Sequence, residues 1–90
     1  MRLRFTGSAR RHKIGNAHVG YVVEHYRPMP TTSKRGEDAL EWVADDDTGR
    51  NLHIVIVVVK PGIDPLDPEE GLVVHAMPSV FDPGLTRKKV

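Results

Sequence analysis

The stretch that decides the fold is Leu40–Val59, LEWVADDDTGRNLHIVIVVV. It reads as a β-hairpin whose second strand is almost entirely apolar. Asp47-Thr48-Gly49 suits a three-residue loop, a type I turn followed by Gly49 in the left-handed conformation as a bulge. That turn pairs Asp46 with Arg50, Ala44 with Leu52, Trp42 with Ile54 and Leu40 with Ile56. One face then carries Leu40, Trp42, Ala44, Leu52, Ile54, Ile56 and Val58, all apolar. The other carries Glu41, Val43, Asp45, His53, Val55 and Val57. A slip of one residue mixes the two sets, so the apolar matching fixes the register. The first face is expected to pack on helices.

The chain of 90 residues fits one domain, near the small end of what folds without staples. It has no Cys, so neither a disulfide framework nor a thiolate zinc site supports it. The core has to come from the aliphatic runs Val19–Val23, Leu52–Val59 and Leu72–Ala76. None approaches the ~18–20 apolar residues of a membrane span, and the N-terminal MRLRFTGSARRHK lacks the apolar stretch of a signal peptide. The cytoplasm is the expected location, with no membrane partner. The net charge of +1 hides an asymmetry: Arg2, Arg4, Arg10, Arg11 and Lys13 all precede the first acidic residue, Glu24. A basic first third is either an ordinary solvated surface or a phosphate-binding face.

Outward from the hairpin, Arg2–Thr6 alternates polar and apolar, as a short half-buried strand does. Ser8 can cap about one helical turn over Ala9–Lys13, ending at Gly15. Asn16 opens a second helix to about Tyr26, with Val19, Val22, Val23 and Tyr26 as one stripe. Val19, Tyr21 and Val23 also fit a two-residue period, and Gly20 weakens helix propensity, so a strand competes here. His18 and His25, two turns apart, are too distant for one metal ion and read as solvent-facing or packing residues. Arg27–Asp38, RPMPTTSKRGED, reads as a polar loop, and so does Lys60–Gly71. Leu72–Met77 returns as a strand, with Leu72, Val74 and Ala76 expected on the apolar face and Val73, His75 and Met77 on the other. Pro78 ends the ladder, giving a domain over 1–78 and a tail over 79–90.

On this register His53 and His75 share the non-core face on neighbouring strands, with Glu41 nearby. Imidazole titrates near neutral pH, so two histidines and a carboxylate can do general acid–base work; they also occur as plain sheet residues. No HxH or HExxH spacing supplies a metal site, and no metal is expected. Arg50 is either a turn arginine paired with Asp46 or a phosphate clamp. Lys60 reads as a strand terminator. There is no Walker motif, GxGxxG, GxSxG, Cys nucleophile or aromatic RNA-binding pattern, so covalent catalysis and nucleotide cofactors find no support.

Three short motifs carry a resemblance. They are Ser8-Ala9-Arg10-Arg11-His12 with Ile14-Gly15, Gly49-Arg50-Asn51-Leu52-His53-Ile54, and Leu72-Val73-Val74-His75-Ala76. Together, over roughly Arg2 to Pro78, they resemble the RelE/ParE superfamily of small toxins, and within it the BrnT-type toxins of type II toxin–antitoxin pairs. Ser8 stands where that pattern usually has His, and His12 lies one turn later. The resemblance implies an α+β fold of order β-α-α-β-β-β: a short N-terminal strand, two helices, then a three-stranded antiparallel meander. It implies an endoribonuclease (mRNA interferase) that inhibits translation and is neutralised by a cognate antitoxin. Cleavage would be metal-independent and need no cofactor, a 2′-OH attacking the neighbouring phosphate. Arg50 is then the expected clamp, His53 and His75 the acid–base residues, and Arg10, Arg11, Lys13, Lys34 and Arg35 the contacts to RNA, free or ribosome-associated. The alternative is a non-catalytic module of the same fold that grips a protein target. A DNA-binding regulator is a third reading, but no helix-turn-helix with a basic recognition helix is visible.

Overall fold

The computed structural model describes residues 1–7 and 14–81. In chain order these form β1 (Arg2–Phe5), α1 (Asn16–His25), β2 (Met29–Thr32), β3 (Asp38–Asp45), β4 (Asn51–Lys60), β5 (Glu70–Pro78) and a 3-10 turn, Ser79–Phe81. The five strands make one mixed sheet in the order β1-β5-β4-β3-β2. β1 runs parallel to β5, pairing Arg2 with Glu70 and Phe5 with Val73, and every other pair is antiparallel.

This corrects the expected β-α-α-β-β-β layout with its three-stranded meander. Among the described residues there is one α-helix and a five-stranded sheet. The turn of helix expected over Ala9–Lys13 lies outside the described residues. The added strand is β2, inside a segment that reads as loop. All four of its residues are exposed, so hydrophobicity does not mark it. Pairing with β3 makes it a strand, Met29 against Glu41 and Thr32 against Asp38. It occupies a sheet edge, where Pro30 is tolerated because the outer side needs no ladder donor.

The central hairpin pairs as expected: Leu40 with Ile56, Trp42 with Ile54 and Ala44 with Leu52. Gly49 has φ +84°, the left-handed geometry the bulge turn demands. The even-numbered face buries against α1, whose Val19 and Val22 are fully covered. Tyr26 falls outside the helix as its extended cap residue. Its carbonyl accepts the Trp42 indole N–H at 3.0 Å, tying the helix end to β3. Each buried Val, Leu or Ile contributes roughly 1.5–3 kcal/mol.

The face assignment within β5 changes part-way. Val55 of β4 opposes His75 and Ile56 opposes Val73, so Val74 is the extra residue of a β-bulge. Below the bulge Val73, expected outward, is fully buried in the core, while Leu72 pairs with Val57 away from it. Beyond the bulge, Ala76 faces the core, and His75 and Met77 fall on the other side, as expected. At the start of β5, Gly71 packs so closely on β4 that a Cβ would run into Ile56 Cγ2.

The 3-10 turn follows β5 directly, and Ser79 is buried, its hydroxyl donating to Asn51 Oδ1 at 2.6 Å. The tail beyond Phe81 lies outside the described residues. Among the described residues no helix is long and apolar enough to cross a membrane.

Candidate functional site

β3, β4 and β5 bring Glu41, His53 and His75 together on the sheet face opposite α1. Val43 pairs with His53, Glu41 with Val55, and Val55 with His75. His53 therefore sits diagonal to both of the others, a spacing that long side chains bridge. His53 Nε2 lies 2.6 Å from Glu41 Oε2. A carboxylate only accepts, so this places the proton on Nε2. The His53 and His75 rings meet edge to face, with centroids 4.8 Å apart and planes at 65°. The His53 side chain is only 10% exposed and that of Glu41 22%, which shields the ion pair from much of the solvent. Carboxylate, imidazole and imidazole thus form a contiguous row, joined by one hydrogen bond and one ring contact.

Arg50 does not join this row. Its even parity sends it to the helix side of the sheet, where its guanidinium donates to Asp46 Oδ2 at 3.3 and 3.4 Å. Asp46 Oδ1 meanwhile accepts from the Thr48 amide at 2.9 Å, the Thr48 hydroxyl at 2.6 Å and the Arg50 amide at 3.0 Å. Burial pushes the Asp46 carboxyl up, but the hydrogen bonds from Thr48 and Arg50 outweigh it and hold the group at about 2. His18, from the first turn of α1, reaches the same turn: its Nδ1 lies 2.6 Å from Asp47 Oδ1 and 3.6 Å from Asp46 Oδ2. His18, Asp46 and Asp47 have the spacing to hold a metal ion among the described residues. A cation there would have to displace the guanidinium from Asp46, so the chemistry of the cluster is that of a locked turn. His25 is separate, its Nδ1 donating to the Tyr21 carbonyl at 2.8 Å and its ring stacked on Tyr21.

Lys34 and Arg35 are exposed at the tip of the β2–β3 turn, at the other end of β3 from Asp46. Arg10, Arg11 and Lys13 lie outside the described residues. Lys60 pairs with Glu69 at 3.1 Å at the end of β4. Sequence reasoning places Glu41 near the histidines without giving it a role. The hairpin register already sets it two positions diagonal to His53, which is the signal for their contact. The two arginines of β1 also go unassigned in the sequence: Leu3 and Phe5 pack on the core, leaving Arg2 and Arg4 on the histidine face beside Glu70. Two surface hollows, of about 230 and 260 Å³, flank the β4–β5 loop, and neither is lined by Glu41, His53 or His75.

Comparison with protein-family models, with curated proteins and with solved structures finds no match.

Proposed function

We propose that the protein is a metal-independent endoribonuclease acting in the cytoplasm, the toxin half of a toxin–antitoxin pair, which blocks translation until a cognate antitoxin neutralises it. The observation that carries the reading is the contact row Glu41–His53–His75. Cleavage of RNA by its own 2′-OH needs one group to take a proton and one to give it, and both tasks suit imidazole near neutral pH. The site is a sheet surface away from the two hollows, a shape that suits an extended polymer. Lys34 and Arg35, with Arg10, Arg11 and Lys13, are the proposed contacts to the phosphate backbone. The likeness of the motifs to BrnT-type toxins supports the same reading through side-chain chemistry alone, because the sheet departs from the layout that likeness implied.

Purified protein incubated with end-labelled RNA in the presence of a chelator tests the proposal. Cleavage leaving 2′,3′-cyclic phosphate ends is expected, with losses of about 10²–10⁴-fold in His53→Ala and His75→Ala. Intact RNA with folded wild-type protein rejects it.

One observation favours a second reading, a non-catalytic module that grips a protein. Arg50, expected as the transition-state clamp, is occupied by Asp46 on the other side of the sheet. Clean RNA together with growth arrest on expression, undiminished in His53→Ala, would select that reading.

A further inference from the structure

The outer strands of the sheet, β1 and β2, offer edges that are not alike. At β2 the Ser33 amide donates to the Glu37 carbonyl at 2.9 Å, so alternation turns Met29 and Thr31 towards β3 and Pro30 and Thr32 outward. Pro30 has no N–H, which leaves β2 with the outward amide of Thr32 alone. At β1 the amides of Arg2 and Thr6 donate to the carbonyls of Glu69 and Val73, at 2.8 and 3.1 Å. The N–H and C=O groups of Leu3 and Phe5 therefore point away from β5, with no proline among them. Among the described residues no strand lies against them. Such an edge is a template for one more strand.

The side chains that flank this edge define the strand it takes. Leu3 and Phe5 pack on the core but stay half-buried, so the helix side of the edge keeps apolar surface uncovered. On the other side Arg2 and Arg4 are 76% and 66% exposed and share the carboxylate of Glu70, at 4.0 and 3.5 Å. Two guanidiniums against one carboxylate leave a positive charge over, and a guanidinium does not lose its proton in a protein. A second copy of β1 does not fit: paired antiparallel with its faces aligned, it sets arginine against arginine.

We propose that the β1 edge binds a partner protein through an extended acidic segment in which carboxylates alternate with apolar residues. The segment adds to the sheet antiparallel to β1, the more stable pairing. Its carboxylates lie across from Arg2 and Arg4, and its apolar side chains cover Leu3 and Phe5. In that pairing the apolar residues of the segment carry the amides that bond to β1, and the amides of the acidic residues face solvent. The inference stands apart from the ribonuclease reading and uses none of its residues.

The full chain labelled with nitrogen-15, titrated to millimolar concentrations of the capped peptide acetyl-Glu-Val-Glu-Val-Glu-Val-amide, tests this. In the free chain the amides of Leu3 and Phe5 are expected to exchange faster than that of Arg4. The peptide is expected to slow them about tenfold while leaving Thr32 unchanged. The same peptide with Lys in place of Glu is expected to bind about tenfold more weakly. Arg2→Glu combined with Arg4→Glu is expected to reverse that preference, which also shows that the variant is folded. If it is not, Arg2→Gln combined with Arg4→Gln is expected to bind the two peptides alike. N-methylation of the valine amides is expected to abolish binding, and N-methylation of the glutamate amides to leave it. Slow exchange of Leu3 and Phe5 in the free chain overturns the proposal, because the edge is then already covered by the chain itself or by a second copy. Exchange that the peptide does not slow, protection of Thr32 instead, equal binding of both peptides to the wild type, or the reversed methylation pattern overturns it as well.

Discussion

Asp46 shows how much a single side chain organises at the closing turn of the central hairpin. Its two oxygens accept from two amides, a hydroxyl and a guanidinium, all within Asp46–Arg50. Removing them in Asp46→Ala deletes the hydrogen bonds that a charged carboxylate makes to Thr48 and Arg50 and is expected to cost roughly 1.5–3 kcal/mol in urea unfolding. The carboxyl titrates at about 2 in the folded chain against an ordinary 3.8. Its folded value is depressed, so its contribution is complete above the unfolded value and fades as pH falls from about 4 towards 2. Asp46→Asn is expected to flatten that part of the stability–pH curve, and curves that fall in parallel would reject the assignment. At this scale the sequence was partly legible. Parity brought His53 and His75 to one face because the alternation holds in β5 beyond the Val74 bulge, although it fails before it. The same parity puts Arg50 on the opposite face from them, and its pull towards Asp46 depends on the folded turn.

At the scale of elements, the two hairpins that flank β3 are closed by one design. In Asp46-Asp47-Thr48-Gly49-Arg50, the first side chain accepts from the amides of the third and fifth residues. In Ser33-Lys34-Arg35-Gly36-Glu37, the Ser33 hydroxyl accepts from Arg35 and Glu37 in the same way. Gly36 and Gly49 have φ values of +82° and +84°. The segment SKRGE thus carries the same turn as DDTGR, and that repetition was the readable sign of β2. It was masked by the surrounding prolines and by the lack of apolar residues, since an edge strand exposed on all sides needs none. The bulge at Val74 left no such sign: nothing in LVVHA distinguishes the skipped valine from its neighbours. Alanine at either glycine must adopt a left-handed conformation and is expected to cost about 1–2 kcal/mol. Gly49→Ala should lower global stability, whereas Gly36→Ala should mainly speed amide exchange in the β2–β3 hairpin. Equal global losses would contradict this division.

At the scale of the whole molecule, among the described residues, one helix covers one face of a five-stranded sheet, and the core is a cluster centred on β4. Ile54 is fully buried, while Val43 on the other face is 45% exposed. Ile54→Ala is expected to cost roughly 2–5 kcal/mol, a large part of the ~5–15 kcal/mol available to a domain of this size. Val43→Ala should stay within about 0.5 kcal/mol, as surface changes usually do. Denaturant midpoints of the two variants measure both. The core was legible because apolar matching across the hairpin and the burial of β4 come from the same residues.

The parallel pairing of β1 with β5 has a consequence in time. β2, β3 and β4 are joined by tight turns, so their contacts form between near neighbours in the chain. Arg2 and Glu70 come from nearly opposite ends and can pair only after most of the chain has been gathered, at a loop-closure cost the hairpins do not meet. Substitutions at the β3–β4 turn should therefore slow folding, while Leu3→Ala should act mainly by speeding unfolding; stopped-flow chevrons of the two would show the difference. His75 lies on β5, the strand that joins the quickly formed hairpins to the late-arriving β1. Glu41, His53 and His75 lie on β3, β4 and β5, all antiparallel neighbours, so their row is expected to assemble before β1 docks and completes the sheet.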